Sequence, residues 1–163
     1  LLDLARTENV APPMEDLDWS RLVGGETLPM ETVAYEKGLS LESSIAEEIW
    51  VHGNGTQLRQ LTSILLDNAI RHSRGGSPVC LVLERERGSA VLSVSNEGEE
   101  IPPEQRKALF ERFYRTDVSR TGGQHYGLGL AIAKAIVTAH RGTIEVQCCR
   151  GKVIFVARLP LRK

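Results

Sequence analysis

Residues 125–142, HYGLGLAIAKAIVTAHRG, contain two glycines that run directly into an apolar helix. Gly127 and Gly129 allow the backbone to approach an anion closely. The first turn of the following helix offers unpaired N–H groups and the positive end of the helix dipole. This combination predicts that a phosphate group binds where the helix begins.

A second predicted helix, LTSILLDNAIRHS at residues 61–73, lies upstream and complements the first. Asn68 places a carboxamide on the helix face that is expected to face the core, where it needs a polar partner. Arg71 and His72, three and four residues further on, lie on the same face and could provide one. Together the two helices predict a nucleotide site. The stripe on this face contains four residues at i, i+3, i+4 and i+7: Leu61, Ile64, Leu65 and Asn68.

The composition of the chain is typical of one globular domain, since 163 residues bury roughly two-thirds of their unfolded surface on folding. Hydrophobic residues make up 41% and charged residues 25%, with a net charge of -1. This charge provides no electrostatic attraction for nucleic acid or an anionic membrane. We therefore expect no nucleic-acid partner, no direct membrane contact by this fragment, and a monomer in isolation.

Three cysteines, Cys80, Cys148 and Cys149, are odd in number and lack the spacing of metal ligands. They indicate reduced thiols in a cytosolic setting and no zinc site. The sequence contains neither an apolar run long enough to span a bilayer nor a recognisable signal peptide.

Two further segments accompany the helices: VSNEGEEIP at residues 94–102 and LFERFYRTD at residues 109–117. With them, the chain resembles the catalytic and ATP-binding domain of sensor histidine kinases, which has the GHKL or Bergerat ATPase fold shared with gyrase, MutL and a heat-shock chaperone. One motif alone is weak evidence, but four in the family's order and spacing are specific. They are the N box at residues 65–73, the G1 box at 96–101, the F box at 109–115 and the G2 box at 127–130.

The resemblance implies an α/β two-layer sandwich, with a mixed β-sheet and three main helices on one face. It assigns residues 1–12 to the end of a dimerisation-domain helix and a linker, broken at Pro12 and Pro13, and residues 13–163 to the catalytic domain. Because the chain begins without Met on LLDLARTE, we interpret it as an excised fragment.

Local patterns predict the elements around the boxes. Asn54, with Gln57 three residues on, predicts a capping box for the N-box helix, and Gly142 is expected to cap the G2 helix after His140. The other expected elements are an edge strand at 14–19, a helix at 20–37 ended by Gly38, strands at 39–45 and 49–52, a short helix opened by Pro103, a hairpin of 79–87 and 90–95 turning at Gly88 and Ser89, and a hairpin of 143–147 and 153–159 around Gly151.

By resemblance, Asn68 brings its amide oxygen to a Mg²⁺ that bridges the phosphates of ATP. The alternative is a buried asparagine that is hydrogen-bonded to the backbone. Arg71 stands where the family places a basic residue that reaches phosphates, and His72 where an aromatic residue packs on the nucleotide. A solvated helix face would explain both equally simply.

At the position of Asn96 the family's G1 box carries an aspartate that accepts a hydrogen bond from the exocyclic amine of adenine. An asparagine oxygen can still accept this bond, but losing the charge costs about 1 kcal/mol of binding free energy, so Asn96→Asp is expected to tighten adenine nucleotides. Gly98 lets the backbone pass the adenine, and Ile101, Ile70 and Leu130 supply apolar walls. Taken alone, this segment also fits an ordinary hairpin turn.

Ile64 is a second departure, because many family members carry another asparagine one turn before the metal ligand. Mg²⁺ must then rely on Asn68, phosphate and water. With Asn96, this departure leaves open an alternative function: a degenerate GHKL nucleotide-binding regulatory module with little or no kinase activity.

Arg115 matches the family's arginine that leans toward the γ-phosphate, with Arg112 as the competing assignment. Residues 116–126 are polar, glycine-bearing and aperiodic, which predicts a lid over the phosphates. The backbone of the G2 box is expected to hold the phosphates, through Gly127, Leu128, Gly129 and Leu130.

The four histidines lack the sequence context of the family's phosphoacceptor, so the attacking imidazole is expected from outside this fragment. The resemblance implies a histidine kinase that transfers the γ-phosphoryl of Mg-ATP to the dimerisation and phosphoacceptor domain of the same kinase, from which a response regulator takes it. It further implies a cytoplasmic domain of a membrane-bound sensor kinase. A repair or topoisomerase type of GHKL ATPase is disfavoured, because the F box is of the kinase type.

Overall fold

Three α-helices and seven β-strands form the part of the chain that this computed structural model describes, residues 13–111 and 127–163. The helices are α1 (Trp19–Glu36), α2 (Gly55–His72) and α3 (Gly127–Ala139). The strands are β1 (Glu15–Asp18), β2 (Ser40–Ile45), β3 (Trp50–Gly53), β4 (Pro78–Glu86), β5 (Ser89–Glu97), β6 (Thr143–Cys149) and β7 (Lys152–Pro160). Two short 3-10 helices, Pro103–Gln105 and Ala108–Phe110, follow β5. The helix end and linker predicted at 1–12 and the lid predicted at 116–126 lie outside the described residues.

The main sheet has five strands in the order β2-β4-β5-β7-β6. Its β2–β4 pair is parallel and its other pairs are antiparallel, so the sheet is mixed. Side chains from the three helices and from alternate positions of the strands form one hydrophobic core. The predicted α/β sandwich with a mixed sheet is therefore confirmed.

The first strand lies apart from this sheet, because β1 pairs antiparallel with β3 in a two-stranded ribbon. The strand predicted at 14–19 is present, but Trp19 already belongs to α1. Its backbone N–H donates to the carbonyl oxygen of Ile49 at 2.8 Å, and its indole is fully buried. Burial of this large side chain fixes where the ribbon ends and α1 begins.

The end of α1 confirms the role predicted for Gly38. This residue has a φ of 75°, its N–H donates to the carbonyl of Tyr35 at 3.0 Å, and the N–H of Leu39 donates to that of Ala34 at 2.9 Å. These two bonds form a Schellman motif, which satisfies carbonyls that the helix leaves open and needs a left-handed residue that glycine adopts without strain.

Both predicted hairpins are present, and each has a two-residue turn with positive φ at both positions. The turns are Arg87 and Gly88, at 49° and 82°, and Arg150 and Gly151, at 52° and 79°. The first turn thus lies one residue earlier than predicted, and Ser89 begins β5. This geometry is typical of type I′ turns, whose twist matches that of the flanking strands.

The end of α3 differs from the prediction, because the left-handed residue is Arg141, with a φ of 60°, and not Gly142. The N–H of Arg141 donates to the carbonyl of Thr138 at 3.0 Å, and that of Gly142 to Val137 at 2.7 Å. Gly142 is required for a different reason: a Cβ there would overlap the carbonyl oxygen of Arg158 in β7. The glycine therefore permits close approach of α3 to the sheet.

His140 links the end of α3 to the start of α2. The ring Nδ1 lies 2.7 Å from the carbonyl oxygen of Ile136, and Nε2 accepts from the backbone N–H of Asn54 at 3.0 Å. Asn54 is the predicted N-cap of α2, and its side-chain oxygen accepts from the N–H of Gln57 at 2.9 Å. The imidazole is therefore neutral, with its proton on Nδ1. Burial lowers the pKa of His140, and a smaller electrostatic effect of His52 acts in the same direction.

We expect the free energy of unfolding to fall as the pH drops below 6.5, the ordinary pKa that His140 recovers in the unfolded chain. Above that value both states hold a neutral ring, whereas below it only the unfolded state readily binds a proton. The slope from this residue is at most about 1.4 kcal/mol per pH unit.

Urea denaturation between about pH 5 and about pH 7 measures this slope, and His140→Gln should reduce it. The matched control is His52→Gln, which changes an exposed ring, removes only the smaller electrostatic effect and should retain most of the slope. An unchanged slope in His140→Gln would show that another group titrates.

Candidate nucleotide-binding site

The candidate site is arranged along a stripe of three residues on α2, which runs beside the apolar positions Leu61 and Leu65. Ile64, Asn68 and His72 lie one helical turn apart, so the stripe is about 12 Å long. Leu61 and Leu65 are fully buried beside it, as the helical pattern predicted, whereas Ile64 is only partly buried. The end of α2 therefore presents mixed polar and apolar groups at the margin of the core.

Asn68 is 9% exposed, and its Nδ2 is buried without a hydrogen-bond partner among the described residues. This observation argues against the alternative stated above, in which Asn68 is a buried asparagine whose amide is hydrogen-bonded to the backbone. An unpaired buried amide costs on the order of 1–3 kcal/mol, which a bound ligand can recover. Rotation of the amide by 180° exchanges its nitrogen and oxygen, so either atom can face a ligand.

The described residues contain no hydrogen bond between Arg71 and Asn68. The guanidinium of Arg71 pairs with the carboxylate of Asp67 at 3.1 Å, one turn back, and both side chains are about half exposed. An ion pair of this kind is weak and easily exchanged. The predicted contact of Arg71 with phosphate remains a prediction, as does the packing of the His72 ring on a nucleotide.

One end of the stripe meets the beginning of α3. A Cβ placed on Gly129 would lie 3.7 Å from Cγ2 of Ile64, an ordinary contact distance. The packing of the two helices therefore tolerates a side chain at Gly129, so helix packing does not by itself require glycine there. Gly127 and Leu128 form the same first turn, whose N–H groups and dipole suit an anion.

The other end of the stripe meets the end of β5. Asn96 is 3% exposed, and its Nδ2 donates to the carbonyl oxygens of His72 at 3.3 Å and Glu97 at 3.4 Å. The amide nitrogen is thus held by the backbone, and the oxygen is the atom left to accept a bond from a ligand. An aspartate here would place a carboxylate oxygen against two carbonyl oxygens. This arrangement argues against the expectation that Asn96→Asp tightens binding.

Gly98 lies where the backbone closely approaches the end of α2, and its predicted approach to adenine remains a prediction. A Cβ there would lie 2.7 Å from the carbonyl oxygen of His72 and 3.1 Å from Nδ2 of Asn96. A backbone carbonyl cannot move away as a flexible side chain can. The structure therefore brings His72, Asn96 and Gly98 together.

The predicted apolar walls, Ile70, Ile101 and Leu130, all belong to the hydrophobic core and are buried. They offer only a small edge of their surface to a ligand. Phe110 packs edge-to-face on Phe155 with ring centroids 6.1 Å apart, which makes it a packing residue beside the core. Arg112, Phe113 and Arg115 lie outside the described residues.

Several residues that hold the G1 box were missed by the sequence interpretation. The N–H of Arg74 donates to the carbonyl of Glu97 at 2.8 Å, just beyond the end of α2. On the other side, Glu100, Cys148 and Gly151 form hydrogen bonds between the G1 segment and the β6–β7 hairpin. These bonds join positions about 50 residues apart, so no local pattern could have revealed them.

Comparison with known families identifies the class to which this fold and site belong. The family described as "Histidine kinase-, DNA gyrase B-, and HSP90-like ATPase" matches residues 53–163, more than half of the chain. The chain belongs to this family. Its relatives are sensor histidine kinases, so the chain is a nucleotide-binding domain of the histidine kinase type.

The sensor protein DltS of Streptococcus agalactiae serotype V is 35% identical over 163 residues, which cover 99% of this chain and 41% of DltS. Full-length ShkA in complex with AMPPNP has a TM-score of 0.83 at 25% identity, over 99% of this chain and 34% of that chain. The catalytic domain of histidine kinase ThkA shares the fold, with a TM-score of 0.78 at 22% identity over 91% of this chain and 97% of that chain. A structure of ThkA in complex with the response regulator TrrA is similarly related, with a TM-score of 0.78 at 20% identity over 91% of this chain and 42% of that chain. This chain thus spans about two-fifths of the length of DltS.

Gly98→Ala should weaken adenine-nucleotide binding by about tenfold or more, about 1.4 kcal/mol, because the new methyl group forces Gly98 away from His72. Calorimetry with ADP measures the effect. Gly75→Ala is the matched control, since a Cβ at Gly75 meets nothing within 4 Å. Parent-like affinity in Gly98→Ala would show that the nucleotide does not depend on this approach.

Proposed function

We propose that this chain is the catalytic domain of a sensor histidine kinase, which transfers the γ-phosphoryl of Mg-ATP to a histidine on a separate dimerisation domain. The single observation that carries the proposal is the buried Asn68 amide, whose Nδ2 lacks a partner among the described residues. It lies midway along α2 between Ile64, which faces Gly129 in the first turn of α3, and His72, whose carbonyl accepts from Asn96.

The order of groups along α2 supports one orientation of ATP. The base lies at the end formed by Asn96, Gly98 and His72, where the Asn96 oxygen accepts from an exocyclic amine. The phosphates lie at the beginning of α3, near Gly127 and Gly129, where N–H groups and the helix dipole stabilise negative charge. The stripe of about 12 Å between the two ends suits an extended nucleotide.

The residues present fit a magnesium ion at Asn68. Mg²⁺ keeps several waters and needs only one or two protein oxygens, and the Asn68 amide is buried with its Nδ2 unpaired within the described part of the chain. When bound, the ion neutralises charge on the phosphates. Ile64, one turn earlier, offers no oxygen, so Asn68 is the ligand that we assign on this face of α2.

Two arginines complete the proposed phosphate site. Arg71 can leave the exposed Asp67 carboxylate for a phosphate at little cost, because such surface pairs contribute little to stability. Arg115 would place its guanidinium near the γ-phosphoryl oxygens, where charge is redistributed during transfer. The lid at 116–126 would exclude water from this end.

We place the phosphoacceptor on another domain, because neither His140 nor His52 is suited to the role. His140 uses both ring nitrogens in hydrogen bonds and is buried, so it has no free nucleophilic nitrogen. His52 is exposed and bonds Asp16 at 3.0 Å, in the β1–β3 ribbon. The ThkA complex supports a response regulator as the later phosphoryl acceptor.

The same proposal places the domain on the cytoplasmic side of a membrane-bound sensor kinase, joined through residues 1–12 to its dimerisation domain. None of the helices within the described ranges has the length and apolar character to cross a membrane. The second candidate function is a nucleotide-binding regulatory module without kinase activity. Ile64 favours it, because this residue removes a potential metal ligand.

Titration with Mg-ATP tests the proposal directly. We expect a dissociation constant of about 10–200 μM, roughly -5 to -6.8 kcal/mol. Asn68→Ala should abolish the Mg²⁺-dependent part of the affinity and leave metal-free binding largely unchanged, because it removes an oxygen ligand. Arg59→Ala, on an exposed part of the same helix, is the control. Equal losses with and without Mg²⁺ would indicate a structural role for Asn68 instead.

Phosphotransfer in the full kinase separates the two candidate functions. Arg115→Ala should lower the rate by about tenfold or more, about 1.4 kcal/mol of transition-state stabilisation, with little change in ADP affinity. Arg112→Ala is the matched control and should transfer phosphate at nearly the parent rate. If the parent kinase binds ATP but transfers nothing, the regulatory module is the better assignment.

A further inference from the structure

The G1 segment, residues 98–101, is hydrogen-bonded to the tip of the β6–β7 hairpin through both the N–H and the carbonyl group of Gly151. The carbonyl oxygen of Gly151 accepts from the N–H of Gly98 at 3.0 Å. Its N–H donates to Oε2 of Glu100 at 2.7 Å. A backbone bond and a side-chain bond therefore meet at Gly151, and they hold the segment on either side of Glu99.

A further contact follows two residues before the turn. The N–H of Ile101 donates to Sγ of Cys148 at 3.4 Å, and the thiol lies 3.8 Å from the carbonyl oxygen of Ile101. Nε of Arg106 also donates to that carbonyl, at 3.0 Å. The segment from Gly98 to Ile101 is thus held at both ends as well as through Glu100.

The hairpin is a firm support for these bonds. Its turn residues, Arg150 and Gly151, both have positive φ, and Cys149 pairs with Lys152 directly beside the turn. β7 continues in register along β5, where Lys152 lies opposite Glu97. The tip therefore belongs to the main sheet, and it adjoins the end of β5 that carries Asn96.

We propose that Glu100 is a positioning residue of the nucleotide site, which holds Gly98 and Ile101 at the distance the base requires. This inference rests on the proposed function, since it concerns the same site. Glu100 is exposed and acts through Gly151, without contacting the nucleotide. Its carboxylate accepts a charge-assisted hydrogen bond, which is stronger than a neutral one.

The physical reason is the conformational entropy of the segment. Without Glu100, residues 99 and 100 keep only the bonds at Gly98 and Ile101, so the free segment samples more conformations. Binding must then order it, and ordering even one or two residues costs enough free energy to weaken binding several-fold. A glutamine retains an acceptor oxygen at the same reach, whereas an alanine does not.

Calorimetry with Mg-ADP and with adenosine tests this inference on parent, Glu100→Ala, Glu100→Gln and Glu99→Ala proteins. Glu100→Ala should weaken both ligands by the same factor, about three- to tenfold, because the segment faces the base and not the phosphates. Glu100→Gln should recover most of the affinity by restoring the hydrogen bond. Glu99→Ala changes an exposed neighbour for which no side-chain bond is found within the described residues, and it should bind like the parent.

Amide exchange in the ligand-free proteins distinguishes local positioning from general damage. Glu100→Ala should accelerate exchange at Gly151 and nearby in the G1 segment, while the rest of β6 and β7 exchanges at the parent rate. Faster exchange throughout the hairpin would overturn the positioning role in favour of a structural one. So would parent-like affinity in Glu100→Ala, or a loss in Glu100→Gln equal to that in Glu100→Ala.

The two proposals fail in different ways. If the parent protein binds neither Mg-ADP nor adenosine, the proposed nucleotide function is wrong, whatever Glu100 does. If the parent binds both ligands and Glu100→Ala binds them equally well, the nucleotide function stands and only the role of Glu100 is overturned.

Discussion

The rest of the structure depends on the packing of α2, which supplies both core and site from one helix. Leu61 and Leu65 are fully buried, and the same helix carries the buried Asn68 amide, whose Nδ2 has no partner within the described part of the chain. Because side chains one turn apart lie on one face, the apolar stripe that fixes the helix also determines where Asn68 and His72 lie. The packing of the core therefore determines where these site residues lie, and a shift of α2 would disturb both the core and the site.

The two ends of α2 are held by different kinds of contact. At its start the neutral ring of His140 bonds the backbone of Asn54, which joins α2 to the far end of α3. At its end the carbonyl of His72 receives Asn96, and Gly98 approaches it closely. Contacts at both ends of α2 fix its position relative to the first turn of α3, which can present its N–H groups to the candidate site. Rigid placement of this kind reduces the ordering that a ligand must bring about.

The two departures from the family pattern have different physical consequences. Asn96 fits its surroundings, since its amide nitrogen faces two carbonyl oxygens that would repel a carboxylate. Ile64 likewise packs against the core and approaches Gly129, but it removes an oxygen from the side of the site where a metal would bind. Under the proposed function, Asn96 keeps an acceptor oxygen for the base, whereas Mg²⁺ would have fewer protein ligands.

Much of the fold could be predicted from the sequence alone, because helical periodicity, turn residues and the four boxes are local. The stripe ending at Asn68, the cap at Asn54, the turn at Gly151 and the glycines of the G2 box are all read within a few residues. What only the tertiary structure decided are contacts between distant segments. His140 bonds the backbone of Asn54, Asn96 donates to the carbonyl of His72, and Glu100 accepts from the N–H of Gly151. The physical reason is that a hydrogen bond or a close approach depends on which segments the core brings together, and chain spacing does not record it.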